Sequence, residues 1–435
     1  MKFLLLFLLS FSFNVFASLP ELFGPSAGSI AIGNQAQGES AANNYQAPAL
    51  LGYSRSTQFS FDSFYVDTAF KNIHNVQTKN ASTSVNDTET GNVKINPVPT
   101  TMIAIHFSTP LFTPEGPKIN VSLFAPAERL IEASTGDTYQ PNYVMYGNRF
   151  TRPTMIFSAA QSIDDWSYSV GVHTGFQTNG DSSFVTRTTN GSSSIGKMNF
   201  NSKPSIAGIV SVAKKSYNHT TYLTFQQEMK SRFKNRATSE TEIASSAAFQ
   251  FDLAITSLLY YDPMIVRLGD QIQFERSRLF FSVEYQQWQS FQASTMNIQN
   301  LGGSIQGSQN YEKLKLKNIF IPKIGYEQKL GEYWTAKMGY FYRQSPLYTN
   351  NLKNAGNSID VDKHVGSLGL ARLIKFYEKN LMLDLTYQGH FLRSQKIVKT
   401  PNLEDGQTAG DKIGSPGYRV GGMIHVVSLG LSWMY

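Results

Sequence analysis

The sequence predicts an all-β fold: a transmembrane antiparallel β-barrel of about 14 strands with an N-terminal hatch inside its lumen. The first observation is the run 427–435, where Val, Leu, Leu, Trp and Tyr occupy every second position and the residues between them are mostly small or polar. Because side chains alternate along a strand, one face of this run is apolar and the other is not. The other two observations are a secretion signal at the N-terminus and a long series of further alternating segments.

The first 17 residues have the pattern of a cleaved signal peptide. Met1 and Lys2 precede an apolar stretch at 3–13, and Val15-Phe16-Ala17 forms a site for cleavage after Ala17. The apolar stretch is shorter than the roughly 20 residues that a membrane-spanning helix needs. Because no other stretch is long and apolar enough, the chain would have to cross a membrane with strands. An ordinary secreted β protein is the alternative.

Composition excludes several classes of protein. The 435 residues include no Cys, which removes disulfide frameworks, thiolate nucleophiles and zinc–thiolate sites. The net charge of +7 is dispersed along the chain, whereas a nucleic-acid-binding protein would carry a clustered basic stripe. The seven His occur without a serine elbow or a His-Glu-x-x-His motif, although His173 and His390 fall on predicted lumen faces. We therefore expect no enzyme activity, no cofactor, no metal and no nucleic-acid partner.

Fourteen segments have strand character. They are 57–70, 100–107, 118–126, 151–162, 166–176, 203–214, 218–230, 245–275, 278–289, 319–329, 334–343, 363–374, 380–392 and 418–435. The eighth is long and contains Pro263, which cannot donate to a β-ladder. Since bacterial single-chain barrels have even strand numbers, we interpret it as one bent strand.

The connections between these strands alternate between long and short. The long ones are 71–99, 127–150, 177–202, 231–244, 290–318, 344–362 and 393–417, and they are rich in Asn, Ser, Thr and Gly. Outer-membrane barrels have short periplasmic turns and longer outer loops. The sequence therefore predicts a Gram-negative outer-membrane protein with both termini in the periplasm, divided into a signal peptide (1–17), a hatch or plug (18–56) and the barrel (57–435).

Alternation assigns side chains to the two faces of the wall. A charged side chain on the lipid face is costly, so the charged residues of the strands should face the lumen. This lumen set is Asp252, Glu284, Lys323, Glu327, Lys337, Arg343 and Asp384. The aromatic girdles at the membrane interfaces should contain Tyr168, Phe176, Tyr285, Tyr326, Tyr387, Trp433 and Tyr435.

Residues 18–56 lack strand character and consist mainly of small and polar residues. A barrel of 14 strands has a wide interior, because barrel width grows with strand number. A compact segment of this kind fits as a plug, with Gly28, Gly33, Pro48, Ala49 and Leu50 as its characteristic residues. A free periplasmic tail is the alternative.

Several parts of the sequence resemble the FadL family (OMPP1/FadL/TodX) of outer-membrane transporters for long-chain fatty acids and other hydrophobic compounds. The segments 28–36, 39–43 and 47–51 resemble the hatch of that family, although Ala47 stands where the family has Asn in an Asn-Pro-Ala triplet. Ser122-Leu123-Phe124-Ala125-Pro126 resembles the third strand. The segments 282–291, 322–327, 334–340 and 345–346 resemble later strands, so the similarity covers nearly the whole mature chain in order.

The resemblance implies passive uptake of a hydrophobic molecule, a fatty acid or a hydrocarbon, through a lumen pocket that the hatch closes. It also implies a lateral exit at a kink in the third strand, with Phe124, Ala125 and Pro126 as the gate. Proline removes a ladder hydrogen bond and favours a bend, but Pro126 could equally end the strand at the outer rim.

Candidate ligand-binding residues come from the predicted lumen face and the kink: Phe64, Phe124, Trp288 and Phe341 for an apolar chain, and Lys323, Lys337 and Arg343 for a carboxylate. Each cation could instead pair with a neighbouring carboxylate. The expected partners are the ligand, outer-membrane lipid and lipopolysaccharide, and we expect a monomer. A general diffusion porin, or a structural or adhesin barrel acting through its outer loops, remains an alternative.

Overall fold

A computed structural model describes most of the chain from Pro20 onwards. The described residues are 20–79, 88–93, 100–127, 141–143, 145–146, 153–175, 179–187, 193–202, 205–243, 246–291, 297–303, 309–310, 316–348, 351–352, 357–376, 379–399, 412–414 and 417–434. The predicted signal peptide therefore lies outside the described residues. Within the described ranges, no helix has the length and apolar character needed to cross a membrane.

Fourteen antiparallel strands form the barrel, as the alternation predicts. They are β1 (Gln58–Phe70), β2 (Thr100–Pro110), β3 (Lys118–Pro126), β4 (Thr154–Ile163), β5 (Trp166–Gly175), β6 (Ser205–Ser216), β7 (His219–Gln226), β8 (Met264–Gln273), β9 (Ser277–Gln287), β10 (Ile319–Leu330), β11 (Trp334–Arg343), β12 (Lys363–Phe376), β13 (Lys379–Lys399) and β14 (Gly417–Met434). Each pairs with the next in sequence, and β14 pairs with β1 from Gln58↔Met434 to Phe70↔Gly422. The sheet therefore closes on itself and the barrel wall has no free edge.

The interpretation of 245–275 as one bent strand was wrong. Residues Ser246–Asp262 and β8 are separate strands on either side of Pro263, and only β8 belongs to the barrel. The barrel nevertheless has 14 strands because Ser246–Asp262 belongs to a second sheet. Asp252 lies on that strand and so does not lie in the barrel wall, contrary to the prediction.

All seven of the segments predicted as long loops contain strand residues. A six-stranded sheet has the order Gln309–Asn310, Asn297–Gly303, Ser246–Asp262, Met229–Ile243, Ser193–Ser202 and Asn179–Arg187. Smaller sheets pair Ile73–Lys79 with Thr88–Val93 and Lys412–Ile413, and Asn142–Tyr143 with Ser358–Ile359, while Asn351–Leu352 pairs with the end of β13. Backbone hydrogen bonds alone can pair such strands, so polar sequences without clear alternation still form sheets.

The two ends of the barrel differ in the length of their connections. At the turn end, β4–β5, β6–β7 and β10–β11 are joined by two or three residues, and Gly331 adopts a φ of 85° in the last of these turns. The beginning of β1 and the end of β14 lie at this same end. The opposite end, here named the loop end, carries the long connections and the second sheet.

Side chains of the wall alternate between an apolar outer face and a polar inner face. In β1, Phe59, Phe61 and Tyr65 are exposed on the outside, whereas Asp62 and Phe64 are buried inside. The charged lumen set follows this rule for Glu284, Lys323, Glu327, Lys337, Arg343 and Asp384. Of the residues predicted for the aromatic girdles, five point outward: Tyr168, Tyr285, Tyr326, Tyr387 and Trp433. The other two, Phe176 and Tyr435, lie outside the described residues.

Candidate functional site in the barrel interior

Residues 20–56, here named the N-terminal segment, lie inside the barrel. The segment contains α1 (Ala27–Ala31) and two 3₁₀ helices, Ala41–Asn44 and Pro48–Tyr53, and its residues are almost all buried. Ser26 caps α1 by accepting a hydrogen bond from the backbone N–H of Ser29. An isolated helix of this length is unstable in water, so contacts with the wall must hold it.

Inward side chains of the wall satisfy the backbone polar groups of the N-terminal segment. Asp62 accepts a hydrogen bond from the N–H of Ala27 at 2.8 Å, and Thr386 donates to the Ala27 carbonyl at 3.0 Å. Ser167 donates to the carbonyl of Ala49 at 2.6 Å. Further hydrogen bonds join the wall to the segment at Pro25, Asn34, Ala36, Asn44 and Tyr45. Leaving such buried groups without partners would cost about 1–3 kcal/mol each.

The segment also approaches the wall at positions without side chains. A Cβ added at Gly339 would lie 2.0 Å from the backbone nitrogen of Gly33, and one at Gly325 would lie 2.4 Å from the carbonyl oxygen of Ile32. Gly33 itself has a φ of 79°, which only glycine adopts readily. Pro48, Ala49 and Leu50 lie in the last 3₁₀ helix, and Gly28 lies in α1.

The segment is anchored near the turn end by Tyr53. Its hydroxyl donates to the carbonyl of Asp165 at 2.7 Å and lies 3.0 Å from that of Ala213. Burial raises the pKa of Tyr53 to about 12, so the hydroxyl stays protonated near neutral pH and remains a donor.

The three cations predicted to bind a carboxylate ligand are paired within the protein. Arg343 contacts Glu21 of the N-terminal segment at 2.7 Å, and Lys337 contacts Asp384 at 2.5 Å. Lys323 contacts Glu284 at 3.0 Å. These side chains are nearly inaccessible to solvent, so the paired interpretation of the inward cations describes them better than the ligand-binding one.

Glu284 is shared by a second cation. Arg267, directly opposite it on β8, contacts it at 3.0 Å and also donates to Gln226 and to the carbonyl of Tyr45. The Nη2 atom of Arg267 is buried and has no hydrogen-bond partner among the described residues. Sequence patterns did not identify this arginine as a site residue, although its place opposite Glu284 follows from strand register.

The four predicted apolar site residues all belong to one buried cluster. Phe64 and Phe124 lie on β1 and β3, Phe341 on β11, and Trp288 in a 3₁₀ helix (Trp288–Ser290) that follows β9. Trp288 was expected within a strand, and instead its Nε1 donates to Gln286 at 2.8 Å just beyond the strand end. The cluster extends from the wall to the N-terminal segment.

Sequence reasoning missed the aromatic residues that link these groups. Tyr45 packs edge-on against Phe124 with ring centroids 6.3 Å apart. Phe23 and Phe341 contact the ring of His390 from two sides, at 5.5 and 6.2 Å. Phe23 and Tyr45 lie in a segment with no strand periodicity, so no pattern in the sequence indicated which way they point.

The residues of the predicted kink lie at the loop end of β3, whose last residue is Pro126. Pairing of β3 with β2 continues to Met102↔Pro126, whereas pairing with β4 stops at Phe124↔Thr154. Pro153, immediately before β4, also lacks an N–H. Phe124, Ala125 and Pro126 are all buried, so the alternation of β3 is lost here. The seam between β3 and β4 thus ends two residues before β3 does.

Comparison with solved structures shows the fold. A FadL homologue from Pseudomonas aeruginosa matches with a TM-score of 0.63 and 14% identity, covering 93% of this chain and 96% of that one. The P. putida toluene transporter TodX matches with a TM-score of 0.55 and 12% identity, covering 95% of this chain and 99% of that one. The Ralstonia pickettii toluene transporter TbuX matches with a TM-score of 0.53 and 14% identity, covering 94% of this chain and 98% of that one. The fold is that of the FadL-type transmembrane β-barrels.

Comparison at the level of sequence gives a shorter match. Alkane uptake protein A of Marinobacter nauticus is 27% identical over 154 residues, which is 34% of this chain and 32% of that protein. The match therefore spans about a third of the curated relative. No family model matches the chain. Together with the fold, these findings confirm the resemblance to the FadL family that the sequence indicates.

Proposed function

We propose that this protein is an outer-membrane channel of Gram-negative bacteria for passive uptake of hydrophobic molecules. The observation that supports it best is the continuous buried apolar cluster between the wall and the N-terminal segment. In this proposal residues 18–56 act as a plug, and the interior is not an aqueous pore. A hydrocarbon chain entering such a site gains roughly 0.8 kcal/mol per buried CH₂ group.

The charges of the interior favour an uncharged hydrocarbon over a fatty acid. Lys323, Lys337 and Arg343 already have carboxylate partners. A fatty-acid carboxylate would have to displace one of these partners and leave it buried without its cation. The partial similarity to a protein named for alkane uptake and the fold of toluene transporters agree with this choice.

A lateral exit is proposed at the seam between β3 and β4. Pro126 and Pro153 cannot donate ladder hydrogen bonds where this seam ends, which weakens the pairing of β3 with β4 there. A solute that leaves through this seam would move from the apolar cluster past the side chain of Phe124 and directly into lipid.

The pocket is tested by matched substitutions on the two faces of neighbouring strands. Phe341→Ala removes an inward ring, and Phe320→Ala removes an outward ring that is 57% exposed. Uptake of labelled hexadecane by cells expressing each variant should fall several-fold for Phe341→Ala and stay unchanged for Phe320→Ala. Equal uptake by both variants would contradict the pocket.

The plug and the exit need separate tests. Deleting residues 18–30 should change hexadecane uptake while the barrel keeps its heat-modifiable mobility on gels. Pro126→Ala with Pro153→Ala should extend the seam and slow uptake, whereas Pro110→Ala at the turn end should not. Mass spectrometry of the protein from its native membrane should find a bound neutral lipid or hydrocarbon. Wild-type uptake after the deletion would favour a surface role for the loop-end sheet instead.

A further inference from the structure

Four cations lie together on the outside of the barrel at the loop end, on three neighbouring strands. Lys71 follows β1 directly, Arg393 and Lys396 lie on β13, and Arg419 lies on β14 between them. All four are exposed. We name this group the rim cation cluster.

The cluster lies just above the apolar band of the outer face. On β14 the outward row from Trp433 to Met423 is apolar except for His425, which lies opposite Asp67 near the top of the row. At about 3.3 Å per residue and a tilt of about 40° this row covers roughly 25 Å, the height of the apolar band in such barrels. Arg419 lies about 10 Å beyond the top of this band by the same geometry. On β13 the exposed ring of Phe391 ends the apolar row, and Arg393 follows it on the same face. These cations therefore lie at the depth of lipid headgroups.

The arrangement places like charges side by side. Lys396 and Arg419 are directly opposite each other in the ladder, a pairing that is destabilising unless an anion lies between the two side chains. Neither forms an ion pair with any residue that the structure describes. The nearby carboxylate of Asp362 is 4.0 Å from Arg393, whose side chain is still 70% exposed. Among the described residues, Asp67 is the other outward carboxylate nearby, and it lies lower, opposite His425.

The backbone is irregular at the same place. The register of β13 and β14 shifts between Leu392 and Gln395, and Gly421 has a φ of 147°. A bulge re-aims side chains and is a built feature of a sheet. Here it keeps both Arg393 and Lys396 outward although they are three residues apart.

From these observations we propose that the rim cation cluster binds the phosphate groups of lipopolysaccharide in the outer leaflet. Arginine and lysine donate charge-assisted hydrogen bonds to phosphate oxygens, so a phosphate supplies an anion to Lys396 and Arg419, which have no ion-pair partner among the described residues. The acyl chains of the same molecule lie along the outward apolar rows of β13 and β14. The site is outside the barrel and independent of what the interior carries, although it rests on the proposed outer-membrane orientation.

The test measures binding of bisphosphorylated lipid A to the detergent-solubilised protein by native mass spectrometry. The double variant Lys396→Gln with Arg419→Gln should bind lipid A at least about tenfold more weakly, because hydrogen bonds between charged groups are stronger than those between neutral groups. The matched control is Arg372→Gln with Lys379→Gln, which removes two outward cations from the turn end of neighbouring strands. This control should bind lipid A like the wild type.

The ligand is varied in the same experiment. Enzymatically dephosphorylated lipid A should bind the wild type at least about tenfold more weakly than the phosphorylated form. This comparison uses only the wild-type protein, so it does not depend on whether a variant folds. Equal binding of the two lipid A forms, equal loss in both double variants, or equally tight binding of phosphatidylglycerol would each overturn the proposal. Because hexadecane uptake is a separate readout, failure here leaves the proposed transport function untouched.

Discussion

Replacing Gly339 with Ala should loosen the N-terminal segment without opening the wall. The new Cβ would lie 2.0 Å from the nitrogen of Gly33 and 2.2 Å from the carbonyl carbon of Ile32, about 1.4 Å short of ordinary contact. Both neighbours are backbone atoms, so no side chain can rotate away. Overpacking of this kind costs about 1–3 kcal/mol. The segment should therefore leave the wall roughly 5 to 150 times more often than in the wild type.

The chain contains no Cys, which makes thiol labelling a direct assay. Ala42→Cys places one thiol in the N-terminal segment at a position that is 2% exposed. Its rate of reaction with a membrane-impermeant maleimide reports how often the segment opens. We expect this rate of labelling to rise roughly 5- to 150-fold when Gly339→Ala is added.

The control is Gly366→Ala on the neighbouring strand β12. A Cβ at Gly366 meets nothing within 4 Å, so it adds the same methyl group to the wall without touching the segment. The barrel should keep its gel mobility and its resistance to denaturant in both variants. Equal labelling rates in Gly339→Ala and Gly366→Ala would refute the packing argument.

Three further substitutions test the interior. Arg343→Gln leaves Glu21 buried without its cation and should destabilise the protein by about 3–5 kcal/mol, and adding Glu21→Gln should recover most of this loss in urea unfolding. Trp288→Ala should cost about 3–5 kcal/mol through the cavity it creates and should also reduce hexadecane uptake. The raised pKa of Tyr53 means that its contribution to stability is complete below pH 10 and is lost as the pH rises towards about 12. In urea unfolding, the wild type should therefore lose more stability over this pH range than Tyr53→Phe does.

Most of the barrel was predictable because its signal is local. Alternation within single strands identified all 14 wall strands and placed Glu284 and Asp384 on the inner face. The prediction was wrong at 245–275, where the even-number rule was applied to a strand that belongs to another sheet. The segment 177–202 was interpreted as loop because Ser, Thr, Asn and Gly dominate it, yet its backbone pairs as a hairpin. Composition cannot distinguish a polar hairpin from a polar loop.

The candidate site was less predictable because its contacts join distant parts of the chain. The partner of Arg343 is Glu21, on the far side of the sequence, and no period or motif connects them. Trp288 and Phe341 could be named from alternation, but Phe23 and Tyr45 could not, since the N-terminal segment has no repeating pattern. A resemblance to a family indicated where that segment lies, whereas only the three-dimensional structure shows which side chains it presents.

The glycines of the wall show that the barrel and the N-terminal segment are specified together. Glycine weakens a strand, because it has no side chain to pack and loses more conformational entropy on folding. Even so, Gly325, Gly339 and Gly369 lie on three different strands, and at each of them the atom nearest to an added Cβ belongs to the segment, at 2.0 to 2.5 Å. A barrel that needed only to close would be more stable with side chains at these positions. At these three positions the segment supplies the physical reason for the missing side chain, so inward glycines within predicted strands are one sequence signal for a filled barrel.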